Sequence, residues 1–379
     1  MNTFLCERIS CTGCGACAAV CAAGAIALRP DEEGFLYPET DGSRCLNCGA
    51  CGAVCPVAGE KESRPVLRAL AARCRDEALR RSSSSGGIFS LLAQRVLARG
   101  GAVYGAAFAP DLRSVRHIRV DEPAQLALLR GSKYIQSAPE DSFSDAAQQL
   151  KRGRWVLYSG TPCQTAALKR FLGDDPERLL TVDVICHGAA SPAPWQTYLD
   201  EAERSAGARP CAANLRDKSR GWGKYRAALF FEDGTRTYGT RIGDPFLRAY
   251  LQNAALRESC YGCPFKGEHF AGDITLGDLW GIRHLSLPPE LNDDGGTSLV
   301  LLRSQKGRTL WESAAREALS AEIDAAQALA CNSAALRPVK RPAARDRFFS
   351  LLRQEGLQAA AKQLCPLSFK ERIKRLLGR

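Results

Sequence analysis

Cys11-Thr-Gly-Cys14-Gly-Ala-Cys17-Ala-Ala-Val-Cys21 and Cys45-Leu-Asn-Cys48-Gly-Ala-Cys51-Gly-Ala-Val-Cys55-Pro56 repeat one spacing, C-x2-C-x2-C-x3-C, at an interval of 34 residues. Eight of the eleven positions from cysteine to cysteine are identical. Three cysteines on a tight loop reach three irons of one cubane, and the fourth, displaced by a short turn, ligates the other cluster. The spacing therefore predicts one 4Fe-4S cluster on Cys11, Cys14, Cys17 and Cys55, and a second on Cys45, Cys48, Cys51 and Cys21. Gly13, Gly15, Ala16, Gly49, Ala50 and Gly52 leave room for backbone folded around a cube. A structural zinc site needs only four thiolates and usually draws them from two separated pairs, which is not this pattern. Ala22 stands where a proline often follows the fourth cysteine, as Pro56 does in the second run; that position is not a ligand.

Outward from these runs, 379 residues exceed what a dicluster module needs and suffice for two or three domains. A hydrophobic content of 45% with 25% charged residues is that of a water-soluble globular chain. No apolar stretch approaches the ~18–20 residues that span a bilayer. Met1 to Ser10 has neither a basic nor an apolar signal region. Seventeen cysteines then argue for metal ligation in a reducing cytoplasm, not for a disulfide framework. Charge is uneven. Residues 1–60 carry three arginines against seven acids, and residues 337–379 carry twelve Lys/Arg against three acids. This asymmetry suits a protein partner or an anionic surface, and no nucleic-acid motif accompanies it.

Residues 1–60 are expected to form an α+β ferredoxin-like dicluster module, with a short strand and turn at Gly34 to Pro38. Strands are expected over 66–73, 102–108, 115–120, 155–158, 179–185 and 298–302, a hairpin over 227–238, and a helix over 88–98. Their alternation with helical stretches indicates an α/β domain with a mixed sheet, divided as 61–158 and 159–310. From Arg308 the pattern reads as helical and increasingly basic, giving a helical tail over 311–379. Phe369, Ile373, Leu376 and Leu377 share one face of its end, so peripheral contact with an acidic partner or a membrane surface is an expectation.

Cys163, Cys186, Cys260 and Cys263 stand in polar or Gly/Pro-containing loops, two of them just after strands, where α/β folds place ligands. By spacing alone they are a third 4Fe-4S site, a zinc site or a redox-active Cys260/Cys263 pair. Ser82 to Gly87 runs into a helix N-terminus and is either an anion cradle for a dinucleotide or a simple cap. Arg130 to Ser137 is either a flavin cradle or a solvated turn. No G-x-G-x-x-G follows a strand, which argues against a nicotinamide Rossmann site. Asp273, Asp278, Trp222 and His187 read individually as structural, and Cys6, Cys74, Cys211, Cys331 and Cys365 carry no assigned role.

In these loops the chain resembles the coenzyme F420 hydrogenase/dehydrogenase beta-subunit family, in the form with an N-terminal dicluster module. The resemblance rests on Ser83 to Ser90, Gly101 to Phe108, Leu129 to Ser137, Ser159 to Gln164, Asp183 to Gly188, Arg216 to Lys218 with Gly221-Trp222, Cys260 to Lys266, and Asp273 to Gly281. These stretches run in order over roughly residues 1–305. The resemblance implies an iron–sulfur flavoprotein oxidoreductase that exchanges electrons between clusters, FAD and a two-electron acceptor of the F420 type. It implies a third cluster on Cys163, Cys186, Cys260 and Cys263, and FAD contacts at Ser85, Gly86, Gly87, Gly131, Ser132, Lys133, Tyr134 and Gln136. It also implies a redox protein partner, a ferredoxin or a dehydrogenase subunit, and Lys133 as a charge tuning the flavin. A non-catalytic electron-transfer subunit is the competing reading. Phe270 stands where relatives often carry an arginine, which implies a less acidic or differently held substrate.

Overall fold

A computed structural model of the chain describes residues 5–139 and 141–367. The amphipathic face expected at Phe369 to Leu377 lies outside the described residues. In chain order the strands are β1 (Ile26–Pro30), β2 (Leu36–Thr40), β3 (Arg68–Cys74), β4 (Ala102–Phe108), β5 (Val115–Val120), β6 (Ser137–Ala138) and β7 (Val156–Gly160). They continue as β8 (Leu179–Val184), β9 (Pro210–Asp217), β10 (Arg226–Phe231), β11 (Arg236–Thr240), β12 (Ile274–Asp278), β13 (Ser298–Leu302) and β14 (Ala318–Glu322).

Nine strands make one mixed sheet in the order β14-β3-β13-β12-β8-β7-β4-β5-β6. Its centre, β12-β8-β7-β4, is parallel, and antiparallel strands flank it on both sides. Successive side chains point to opposite faces, so alternation sorts the core. Leu70, Ala72, Val103, Leu157, Leu180, Val182, Val300 and Leu302 face one way, under helices Ile88–Leu97 and Gln305–Ala314. Ala102, Tyr104, Val156, Tyr158 and Leu179 face the other way, where they meet Phe143, Leu168 and the first cysteine run through Cys14 and Ala16. The stretch after Arg308 is therefore not a continuous helix. Ala318 to Glu322 is a strand, because the edge of β3 pairs with it residue for residue.

The N-terminal module is two pseudo-equivalent turns around the β1–β2 hairpin. Each cysteine run bends through a left-handed glycine, Gly15 at φ 79° and Gly49 at φ 74°, into a four-residue helix, Ala16–Ala19 and Ala50–Ala53. Few residues other than glycine adopt that conformation cheaply. The hairpin turn is closed by Asp31, whose carboxylate accepts from the backbone N–H of Glu33 (3.0 Å) and Phe35 (2.9 Å).

The last described helix, Arg345–Leu364, locks this module to the body. Phe35 is fully buried with its ring centroid 6.1 Å from that of Phe349. Arg345 forks onto Glu33, Nη1 to Oε1 at 2.8 Å and Nη2 to Oε2 at 2.6 Å, and its Nε donates to the Leu256 carbonyl at 3.1 Å. The helix breaks at Gly356 (φ 86°), and Glu201 accepts the N–H of Leu357 freed beyond the break at 2.7 Å. Removing one partner of a buried, forked ion pair strands the other. Arg345→Ala is therefore expected to lower folding stability by about 3 kcal/mol and to make the hairpin turn at Asp31 to Gly34 sensitive to protease, as read by denaturant unfolding and limited proteolysis.

Candidate functional site

The thiols of the expected first set lie near enough to influence one another. Burial pushes Cys14 up to about 11 and Cys17 further, and in each case the neighbouring thiols Cys11 and Cys55 add to the rise. A fifth thiol joins them. Cys6 lies against both Cys11 and Cys55, and its thiol holds those two below the ordinary thiol range. Two buried polar atoms beside this set, Thr12 Oγ1 and Arg257 Nη2, have no hydrogen-bond partner among the described residues. A thiolate-bound cluster at this position would supply acceptors to both, so the residues fit the group the spacing calls for.

The second expected set lies farther out. Cys48 is exposed beside Leu46, which is 74% accessible, while Cys51 is buried. Cys21 Sγ accepts from the Ala25 N–H at 3.3 Å, and the Cys45 thiol reaches Asn47 Oδ1 at 3.7 Å. Asn47 adopts φ 50° there.

The four later cysteines, distant in sequence, are also brought near one another. Cys163 lies in the first turn of helix Pro162–Leu172 after β7, Cys186 follows β8, Cys260 ends the 3-10 turn Glu258–Cys260, and Cys263 follows it. Burial pushes all four thiols up, Cys260 to about 12. Within the set, Cys163 is raised further by Cys263 and Cys186, Cys260 by Cys186 and Cys263, and Cys263 by Cys186. Thr161 Oγ1 lies 3.1 Å from Cys163 Sγ, and the Ala189 N–H donates to Cys260 Sγ at 3.4 Å. The Lys266 ammonium, bound to the carbonyls of Cys186 and Ala334, is a buried cation beside Cys186 and Cys263. Cys14 of the first set also acts on Cys163, so the two sets adjoin. Among the described residues, no three His, Cys, Asp or Glu side chains converge on a single ion.

The eight expected flavin contacts divide. Loops 82–87 and 130–134 adjoin, for the Ser132 N–H donates to Ser84 Oγ at 2.8 Å. Gly131, Ser132 and Lys133 line a cavity of about 430 Å³ together with Arg130, Phe108 and Leu215. Its size and its mixed cationic and apolar wall suit part of a dinucleotide cofactor. Ser85, Gly86 and Gly87 do not line it. Ser85 Oγ donates to Thr297 O, Gly86 bonds Ser298 Oγ, and a Cβ on Gly86 would stand 2.4 Å from the Ala72 carbonyl. Gly87, at φ 84°, starts helix Ile88–Leu97 against Cys74. Tyr134 (φ 62°) places its ring 4.4 Å from that of Tyr250. Lys133 donates to the carbonyls of Leu128 and Arg130, and burial lowers its pKa to about 7. Gln136 instead holds the first cysteine run, donating to Thr12 O at 3.1 Å.

Several remaining candidates act as braces. Asp273 accepts from Arg64 (2.6 Å), Thr181 and Ser304. Trp222 stacks on Trp280 at 4.8 Å and donates to Asp278. His187 bonds Asn253, and Phe270 packs under Arg303. The sequence carried no signal for Cys6, which lies outside the repeat. Arg257 also went unmarked, since nothing local distinguishes it from a surface arginine.

With this geometry in place, residues 153–327 match the family model of the C terminus of the coenzyme F420 hydrogenase/dehydrogenase beta subunit. Residues 10–58 match the 4Fe-4S dicluster domain. A solved chain of the F420-reducing [NiFe] hydrogenase complex from Methanosarcina barkeri is similar at 17% identity over 80% of this chain and 94% of that one, with a TM-score of 0.47. No curated protein matches.

A neutral histidine braces the loop that carries Cys163. His117 is buried, with Nε2 3.0 Å from Ser159 O and Nδ1 2.9 Å from Ser137 Oγ, and its ring stacks on Tyr158. Burial lowers its pKa from 6.5 to about 4. A group with a depressed native pKa contributes stability that is full above its unfolded value and is lost as pH falls through its native one. The denaturant midpoint is therefore expected to fall between about pH 6.5 and 4, and His117→Asn is expected to flatten that segment of the profile.

Proposed function

We propose that this chain, whose residues 153–327 match the C terminus of the coenzyme F420 hydrogenase/dehydrogenase beta subunit behind a 4Fe-4S dicluster domain over residues 10–58, is a member of that family that passes electrons through three 4Fe-4S clusters to FAD and a two-electron acceptor of the F420 type. Its coarser role, iron–sulfur electron transfer, follows from the two matched regions themselves. The observation that carries the finer reading is continuity. Exposed Cys48 belongs to the outer set, and Cys14 of the inner one shares a buried apolar cluster with Ala167 and Leu168 of the helix that carries Cys163.

In this reading Cys45, Cys48, Cys51 and Cys21 hold the entry cluster, where Leu46 and its neighbours meet a redox protein, either a ferredoxin or a dehydrogenase subunit. Cys11, Cys14, Cys17 and Cys55 hold the middle cluster, shielded from water by Phe35, Tyr37 and the body. Cys163, Cys186, Cys260 and Cys263 hold the third, with Lys266 balancing part of its charge. Arg130, Gly131, Ser132 and Lys133 would hold FAD at the cavity wall. Bound there, the flavin supplies conversion between one-electron and two-electron carriers. Arg130 offers charge to an anionic portion of the cofactor, and Lys133, already committed to two carbonyls, shapes the loop that presents Gly131.

A second reading, an electron-transfer subunit without flavin, is favoured by the internal contacts of Ser85, Gly86 and Gln136. Cofactor analysis of anaerobically purified protein separates the two. About twelve irons with matching sulfide and one FAD per chain are expected, falling to about eight irons in Cys163→Ser or Cys260→Ser with the dicluster signals retained. About eight irons in the unaltered protein would overturn the third cluster, and absence of flavin would establish the second reading.

A further inference from the structure

Arg257 is buried to 1% exposure, yet among the described residues no carboxylate pairs with it. Its Nε donates to the Cys11 carbonyl at 2.6 Å and its Nη1 to Gln136 Oε1 at 3.0 Å, while Nη2 has no partner. The guanidinium lies 4.0 Å from the Tyr37 ring centroid and 5.5 Å from that of Phe35. A Cβ on Gly13 would stand 2.9 Å from its Nη1, so the first cysteine loop presses directly on the fork.

A guanidinium cannot shed its proton in a protein, and a buried charge without a counter-charge is strongly destabilising. Cation–π contacts with two rings offset only part of that cost. The environment of Arg257 therefore calls for an anion, and the group adjoining it is the thiol set of Cys11, Cys14, Cys17 and Cys55. A cubane held by four thiolates is anionic and becomes more so on reduction. A fixed cation beside it, unscreened by solvent, stabilises the reduced form more than the oxidised one.

We propose that Arg257 is the counter-charge of the middle cluster and raises its reduction potential above that of the exposed outer cluster, so that electrons entering at Cys48 run inward. This rests on the cluster assignment given under the proposed function. One electron leaves the reduced outer cluster and enters the oxidised middle one. Arg257 keeps its proton, and no bond forms or breaks. The electron comes from a one-electron protein donor. Beside the outer set, Arg44 is exposed and donates to the Ala23 carbonyl at 2.8 Å. Arg257 also reaches toward the third set. Its N–H donates to Ala189 O (2.9 Å), and the Ala189 N–H donates to Cys260 Sγ (3.4 Å). Its charge opposes the burial that pushes Cys260 up. It is a tuning residue of the middle cluster.

The test is a potentiometric titration of the cluster-loaded protein, with dithionite as reductant and EPR as the readout, after iron and sulfide have been counted in each variant. In Arg257→Gln one cluster potential is expected to move to a more negative value while the others stay in place, and Arg257→Lys is expected to restore most of the difference. Gln136→Glu keeps Arg257 but neutralises it with a carboxylate, and is expected to shift the same potential in the same direction. A loaded Arg257→Gln with unchanged potentials would overturn the proposal. Should Arg257→Gln fail to hold iron, unchanged potentials in Gln136→Glu would overturn it instead. Absence of any cubane signal from the unaltered protein would sink the cluster assignment, and this inference with it.

Discussion

The arrangement depends on how closely the Cys11 to Cys17 loop can approach the α/β body. A Cβ at Gly13 would lie 2.3 Å from Gln136 Nε2, and one at Gly15 would lie 2.4 Å from Pro139 Cγ. Both glycines also adopt left-handed backbone. These positions therefore answer two demands at once, a turn tight enough to wrap a cube and a face flat enough to dock. Without that contact the dicluster module would be held by its hairpin, by Arg345 and by the bonds of Arg170 to the Ala53 and Glu60 carbonyls. With it, Cys14 enters the same apolar cluster as Tyr104, Tyr158 and Leu168. In the proposed reading, the electron path then crosses a packed interior in place of a solvent gap.

Charge distribution follows from this burial. The outer set meets water, which stabilises whichever charge state it holds. The inner sets cannot rely on water and are supplied with fixed cations, Arg257 for the middle one and Lys266 for the third. Each is anchored by carbonyl oxygens, the Cys11 carbonyl for Arg257 and those of Cys186 and Ala334 for Lys266. A cation anchored by carbonyls keeps its full charge available to the neighbouring thiolates, which a carboxylate partner would cancel.

What could be read from the sequence was what is encoded locally. The two cysteine runs carry their ligand spacing within eleven residues, and β4, β5 and β13 fall where short apolar-rich stretches put them. Cys163, Cys186, Cys260 and Cys263 were legible as candidates by type and loop context. Their meeting depends on β7, β8 and β12 lying side by side in the sheet, which no local pattern specifies. Strand β14 reads as helix in the sequence because Ala-rich residues suit either state, and pairing with the edge of β3 makes it a strand. Gln136 shows the limit most clearly. Its loop resembled a cofactor cradle, but its amide is used to grip Thr12, a partner 124 residues away. Arg257 and Cys6 were invisible for the same reason, since their roles exist only once the module has docked.

The central claim is that the middle and third thiol sets hold neighbouring clusters in electronic contact. EPR spectroscopy of the fully reduced protein tests it directly. The expected spectrum shows signals broadened and split by spin–spin interaction, and Cys260→Ser, which removes a third-set ligand without touching the dicluster module, is expected to simplify it. A fully reduced protein whose cluster signals are narrow, independent and unchanged by Cys260→Ser would contradict the account.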